Sequence, residues 1–194
     1  LEALQRARSG HGAILLISGE SGVGKSRLLQ ELRTRAMVQS VRVVKGQAAT
    51  ERAASYQLWT PILRELSLET ELDEQDLGIL RDAAPDLEAL LGHQGQTPPP
   101  AAPQAAQARL TDAIIRFFKR QRTPALVILE DLHWAGTESL GLIARLSEAV
   151  QSLPILIVGN YRNDEASAAL RELPGTKIQL ERLDKKASAR LVRS

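Results

Sequence analysis

The chain has 194 residues, enough for one sizeable domain, and with aromatics at 3% its core must be built from aliphatic side chains. Lys and Arg number 25 against 23 Asp and Glu, a net charge of +2 with no long basic run, so direct nucleic-acid binding is not expected. Cysteine is absent, which excludes disulfides and thiolate metal sites and suits a reducing, cytoplasmic setting; no stretch has the length of an apolar membrane span, and the first residues do not form a signal peptide.

Residues 2–8 carry Ala3, Leu4 and Ala7 among polar neighbours and predict a short helix that delivers the chain to the first strand. Ala13 to Ile17 is an apolar run, and it feeds Gly19-Glu20-Ser21-Gly22-Val23-Gly24-Lys25-Ser26, the spacing G-x-x-x-x-G-K-S, ahead of a stretch with helical periodicity. This is the P-loop arrangement in its required strand-to-helix context. The glycines let the backbone curl until successive N–H groups converge on phosphate oxygens, and the helix starting near Lys25 adds its positive end. Lys25 is then placed to reach β- and γ-phosphates and the Ser26 hydroxyl to ligate Mg²⁺, with Arg27 closing the candidate nucleotide-binding segment. Leu28, Leu29, Leu32 and Met37 predict the apolar face of a helix running to about Gln39. Val41 to Lys45, ended by Gly46, reads as a second strand, which makes a parallel strand–helix–strand crossover.

From Ala48 to about Gly92 the pattern is helical and reads as an insertion: Tyr56, Leu58, Trp59, Ile62, Leu63 and Leu66 fit one helix, with shorter ones over Asp73 to Asp82 and Pro85 to Leu91. Asp73 is expected as an N-cap and Pro85 at a first helical position. Residues 92–107, rich in Pro and Gln, read as an exposed, mobile loop within the domain, or less simply as a docking site for a proline-binding partner. A helix from Ala106 to about Gln121 is expected to turn Leu110, Ala113, Ile114, Phe117 and Phe118 inward. Ala125 to Leu129 is a third buried strand, Thr137 to Val150 a helix, Pro154 to Gly159 a fourth strand and Lys177 to Leu180 a fifth, with a further helix starting at Asp184. Apolar runs without alternation suit strands covered on both faces, so the expected fold is α/β, a parallel sheet between helical layers.

The third strand ends in Glu130-Asp131. Two adjacent acids at the end of a buried strand are costly to place unless a cation or solvent compensates them. A Mg²⁺-dependent nucleotidase needs a carboxylate there for the metal and another to orient water; the same acids would also cap the following helix. With a P-loop upstream, the metal and water-orienting roles are the stronger reading. Arg162 stands just past the fourth strand, where it reads equally as a cation meeting a γ-phosphate or as a surface arginine.

Three strings together, Gly19 to Leu29, Leu129-Glu-Asp-Leu-His-Trp-Ala135 and Val158-Gly-Asn-Tyr-Arg-Asn-Asp-Glu165, resemble the ATPase module of signal-transduction ATPases of the STAND class, close to the AAA+ branch. The likeness also takes in Tyr56-Gln-Leu-Trp59 and the Arg109 to Phe118 stretch. It implies a P-loop NTPase with a three-layer, five-stranded parallel sheet of order 5-1-4-3-2. It further implies Lys25 and Ser26 as the Walker A lysine and Mg²⁺ hydroxyl, Glu130 as the first Walker B acid, Asp131 as the acid that polarises water, and Arg162 as the sensor of the γ-phosphate. Which of Glu130 and Asp131 faces the metal is left open. His133 and Trp134 belong to the string and read as packing residues. Gly136 stands where the class usually has an acid.

The function implied is an ATP-operated, Mg²⁺-dependent switch that hydrolyses slowly to ADP, working beside effector and sensor domains of the same polypeptide and compatible with self-association. The alternative is a non-hydrolysing scaffold that uses ATP or ADP to fix its shape. A GTPase reading lacks the Asn-Lys-x-Asp that guanine recognition needs. Residues 1–181 are expected to form the ATPase core and 182–194 to begin a truncated following segment, because the chain starts without Met and ends inside a helical pattern.

Overall fold

The computed structural model describes residues 1–49 and 56–182; the helix expected at Asp184 and nearly all of the segment expected at 182–194 lie outside them. Five parallel strands, β1 (Ala13–Ser18), β2 (Arg42–Gln47), β3 (Ala125–Glu130), β4 (Ile155–Tyr161) and β5 (Thr176–Gln179), form one sheet in the order β2-β3-β4-β1-β5. Read from its other edge this is the expected 5-1-4-3-2, and it sets the strand that leads into the P-loop between β4 and β5.

Successive strand side chains point to opposite faces, and the sheet divides its core accordingly. Leu126, Ile128, Leu156 and Val158 pack with Leu4 and Ala7 of α1 (Glu2–Arg8) and Leu29 and Ala36 of α2 (Lys25–Val38). Their neighbours Val127, Leu129, Ile155 and Ile157 face the larger opposite layer. That layer holds α3 (Thr60–Ser67), α4 (Glu74–Leu80), α5 (Leu87–Leu91), α6 (Pro103–Lys119), α7 (Thr137–Ala149) and the short α8 (Ala168–Arg171). Trp59, Phe117 and Phe118 are its aromatic nucleus, with Phe118 edge-on to both others at ring separations of 6.0 and 5.9 Å.

Several boundaries differ from expectation, each for a local reason. In α2 only Leu29 and Ala36 are fully buried, whereas Leu28 and Met37 stand exposed on the flanks of the narrow stripe that meets the sheet. Tyr56 to Trp59 form a turn and not a helix, with Tyr56 at positive φ and its hydroxyl bonded to Thr111 Oγ1 at 2.9 Å. Pro85 precedes α5 in a turn and Asp86 takes the capping position. α6 begins at Pro103, at the helix start that proline's fixed φ favours, so the irregular stretch is 92–102. That stretch is tied down: Gln96 N–H donates to Glu74 O at 2.6 Å, Gly95 N–H to Glu88 Oε1 at 2.9 Å, and Arg109 Nη1 to Pro99 O at 2.9 Å. α8 has no counterpart among the expected elements; it starts on Ser167, whose hydroxyl accepts from Leu170 N–H.

Asp73 caps α4 as expected, its Oδ1 accepting the Asp76 N–H at 2.7 Å while Oδ2 meets Arg120 Nη2 at 2.7 Å. The Asp76 N–H, and then Arg120, hold the Asp73 carboxyl below the ordinary aspartate range. A carboxyl with a lowered folded-state pKa contributes stability that is complete above its unfolded pKa and drains as pH falls through the folded value. Asp73→Ala should therefore cost about 1 kcal/mol at neutral pH, and the deficit should shrink toward acid pH, as thermal melts of the two proteins across pH would show. A deficit independent of pH would remove the carboxylate from the cap.

Candidate functional site

The site lies at the carboxyl ends of β1, β3 and β4, where a doubly wound sheet leaves room for a ligand. The loop after β1 turns on Gly22 and Gly24, at φ of 76° and 105°, the left-handed region that favours glycine. Gly19 is hemmed in otherwise: a Cβ there would stand 2.8 Å from Leu180 O and 2.9 Å from Val23 Cγ1, so the end of β5 and the loop's own valine close around it. α2 starts at Lys25, and its first N–H groups have no carbonyl a turn earlier to bond. Ser21, Ser26 and Arg27 are exposed at this mouth. Glu20 turns away to pair with Arg182 at 2.9 Å.

Lys25 Nζ donates to Gly19 O and Glu20 O, both at 2.8 Å, folding the ammonium over the loop. Burial, and then the guanidinium of Arg162, lower its pKa, while Asp164 and Asp131 oppose them. The two cations thus stand near enough to repel each other, a repulsion that an anion between them would relieve.

The two acids at the end of β3 divide. Glu130 is the last residue of the strand, and its Oε2 forms an ion pair with Lys45 Nζ on β2 at 2.5 Å. Asp131 lies beyond the strand at φ 58° and ψ 42°, a left-handed conformation that Asp enters more readily than most residues. Its N–H donates to Asn160 Oδ1 at 2.7 Å, its Oδ2 accepts from Gln47 Nε2 at 2.9 Å, and its carbonyl accepts the Trp134 N–H at 2.9 Å. These bonds hold the strained residue in place, and its charge is felt weakly at Lys25.

Gln47 and Asn160 are site residues that the sequence reading missed. Both follow a glycine taken there as a strand end. β2 runs through Gly46, where a Cβ would stand 2.0 Å from Leu58 O, and β4 runs through Gly159, where it would meet Leu132 Cδ1 at 2.4 Å. The glycines admit close neighbours and do not stop the strands. The signal that could have found the pair is a polar residue directly after an in-strand glycine, at matching ends of the strands that flank β3.

His133 lies in the short 3-10 turn Leu132–Trp134 that follows Asp131, its side chain fully buried and its ring 4.7 Å from that of Trp134. Burial dominates in lowering its pKa. Trp134 is itself exposed, so of the two only His133 has the packed position expected. Gly136 is the N-cap of α7 without a side-chain bond, the weakened cap that its replacement of an acid implies.

Among the described residues no cluster of three or more His, Cys, Asp or Glu side chains forms a metal cage. Mg²⁺ at a nucleotide site takes one or two protein oxygens beside phosphate and water. Ser26 and Asp131 offer hard oxygen donors of that kind.

The strand order, the glycine loop and its lysine define a P-loop nucleotide-binding α/β domain. The chain belongs to the AAA ATPase domain family, which it matches over residues 1–158. An uncharacterized protein of Rhizobium meliloti (strain 1021) is 29% identical over 195 residues, covering 91% of this chain and 19% of that protein. Solved structures with a loose likeness include AMPPCP-bound DnaA from Aquifex aeolicus, at 17% identity over 99% of this chain and 47% of that one, with a TM-score of 0.46. Drosophila ORC bound to GC-rich DNA and Cdc6 shows 13% identity over 98% of this chain and 60% of that one, with a TM-score of 0.49. The RuvB branch-migration motor of Thermotoga maritima shows 14% identity over 99% and 46%, with a TM-score of 0.46. No helix among the described residues is long and apolar enough to cross a membrane.

Proposed function

We propose that the chain is an ATP-binding, slowly hydrolysing switch module of the STAND kind, Mg²⁺-dependent, within a longer signalling or regulatory polypeptide. The observation that carries the reading is the Gly19–Ser26 loop between β1 and α2 with Lys25 folded over it, Arg162 following Tyr161, the sheet partner of Ser18, and Asp131 just past the end of β3. The loop's N–H groups and the start of α2 take the β- and γ-phosphates, Lys25 bridges them, and Arg162 reads the terminal one. Ser26 and Asp131 would hold Mg²⁺, which neutralises charge on the phosphates when bound; Asp131, placed by Gln47 and Asn160, also orients the attacking water. Glu130, engaged by Lys45, supports the strand end and completes the acidic pair. Effector and sensor domains of the same polypeptide and self-association belong to the same reading, and the relative of which this chain covers 19% is itself several times longer.

Asp131→Asn tests it. Steady-state phosphate release should fall about a hundredfold or more, as expected for loss of a group that activates water, while ATP affinity by calorimetric titration stays within a few-fold. A specific observation favours the second reading, a non-hydrolysing scaffold: the carboxylates of Glu130 and Asp131 already hold partners, in Lys45 and Gln47. The same assay decides, because a scaffold releases no phosphate for the substitution to remove.

A further inference from the structure

The segment after β4 contains an arrangement that this chemistry leaves unused. Arg162 Nη1 meets Glu165 Oε1 at 2.5 Å, and the other oxygen of that carboxylate lies 3.4 Å from Nε2 of the buried His133. One carboxylate therefore reaches from the guanidinium at the phosphate site to an imidazole on the turn after β3, neither of whose nitrogens has a hydrogen-bond partner. Arg162 feels Glu165 most strongly, and Asp164 and Asp131 less.

We infer that Glu165 sets the discrimination between ATP and ADP, by holding Arg162 in competition with the γ-phosphate. The inference rests on the proposed reading of Arg162 as the γ-phosphate contact. The planar donor fork that meets a carboxylate is the same fork that would meet a terminal phosphate, so Arg162 serves one anion at a time with that edge. Without nucleotide the guanidinium faces the repulsion of Lys25 and leans on the nearest anion, three residues along its own segment. A γ-phosphate, carrying more charge and three oxygens, draws it away. ADP has no γ-phosphate and leaves the pair closed. Glu165 thus subtracts from the affinity for ATP and leaves that for ADP untouched. Both side chains are 36% exposed, so the competition is one of an exposed ion pair and its release is worth about two- to fivefold in affinity.

The experiment is calorimetric titration with Mg²⁺-ATP and Mg²⁺-ADP of the unaltered chain and of E165Q, E165D, R162A and R162A/E165Q, with thermal melts to confirm folding. E165Q should tighten ATP binding about two- to fivefold without changing ADP binding. E165D, which keeps the charge on a shorter arm, should lie nearer the parent. In the R162A background E165Q should change nothing. If R162A lowers the ATP to ADP affinity ratio but E165Q leaves both affinities alone or moves them together, the role of Glu165 is overturned and that of Arg162 stands. If R162A leaves the ratio unchanged, or the unaltered chain binds neither nucleotide, both fall.

Discussion

Lys25→Ala should weaken binding of both ATP and ADP by about a hundredfold or more while the protein still folds. Lys25 is the one side chain in the glycine loop that brings a full positive charge to the bound phosphates, and charge-assisted hydrogen bonds are the strong ones. Losing contacts of that kind at two phosphates removes on the order of 3 kcal/mol, which is the stated factor. The fold should survive because Lys25 is only partly buried and alanine is the best helix former at the start of α2. Its bonds to Gly19 O and Glu20 O would be lost, and water reaches the exposed Glu20 carbonyl, so the melting temperature should fall by a few degrees at most. Titration calorimetry and a thermal melt read the two halves separately. A variant that binds ATP as tightly as the parent would remove the loop from nucleotide binding altogether.

Gly46→Ala should be the most destabilising small substitution in the sheet. Its Cβ would stand 2.0 Å from the carbonyl oxygen of Leu58, a backbone atom at the turn that leads into α3, and 3.0 Å from Ile62 Cδ1. Backbone cannot rotate aside, so either β2 or the turn must move, and overpacking of this severity costs about 3 kcal/mol. For a domain of this size that lowers the melting temperature by roughly 6–12 °C. Gly159→Ala meets Leu132 Cδ1 at 2.4 Å, the tip of a side chain that can change rotamer, and should cost less. An equal loss in both, or no loss in Gly46→Ala, would contradict the packing described for the β2 edge. The functional consequence runs through Gln47: displacing the end of β2 loosens the amide that holds the Asp131 carboxylate, so surviving Gly46→Ala protein should also hydrolyse more slowly than its melting loss explains.

The two glycines show where sequence reading stopped. Gly46 and Gly159 look like strand ends because glycine ends strands more often than it continues them. What a Cβ would strike at these positions is Leu58 and Leu132, which lie far from them along the chain or on another element, and no local pattern records that. Ending each strand two residues early hid Gln47 and Asn160, the residues that hold Asp131. The same limit misplaced the start of α3: Tyr56, Leu58 and Trp59 are apolar at helical spacing, yet they are buried from a turn, because burial and not helical conformation is what the spacing reports.

The sequence by itself determined the parallel α/β architecture, the position of the glycine loop between strand and helix, and the pairing of that loop with a carboxylate-tipped strand. These rest on local rules: apolar runs make strands covered on both faces, and a strand–glycine loop–helix succession turns backbone donors toward an anion. Only the tertiary structure decided how the acids divide, with Lys45 taking Glu130 and Gln47 and Asn160 taking Asp131, and only it set Glu165 between Arg162 and His133. The physical reason is one of range. A loop's conformation is set by residues within a few positions of it, whereas an ion pair or a side-chain hydrogen bond between strands depends on register, and register is settled by packing of the whole sheet.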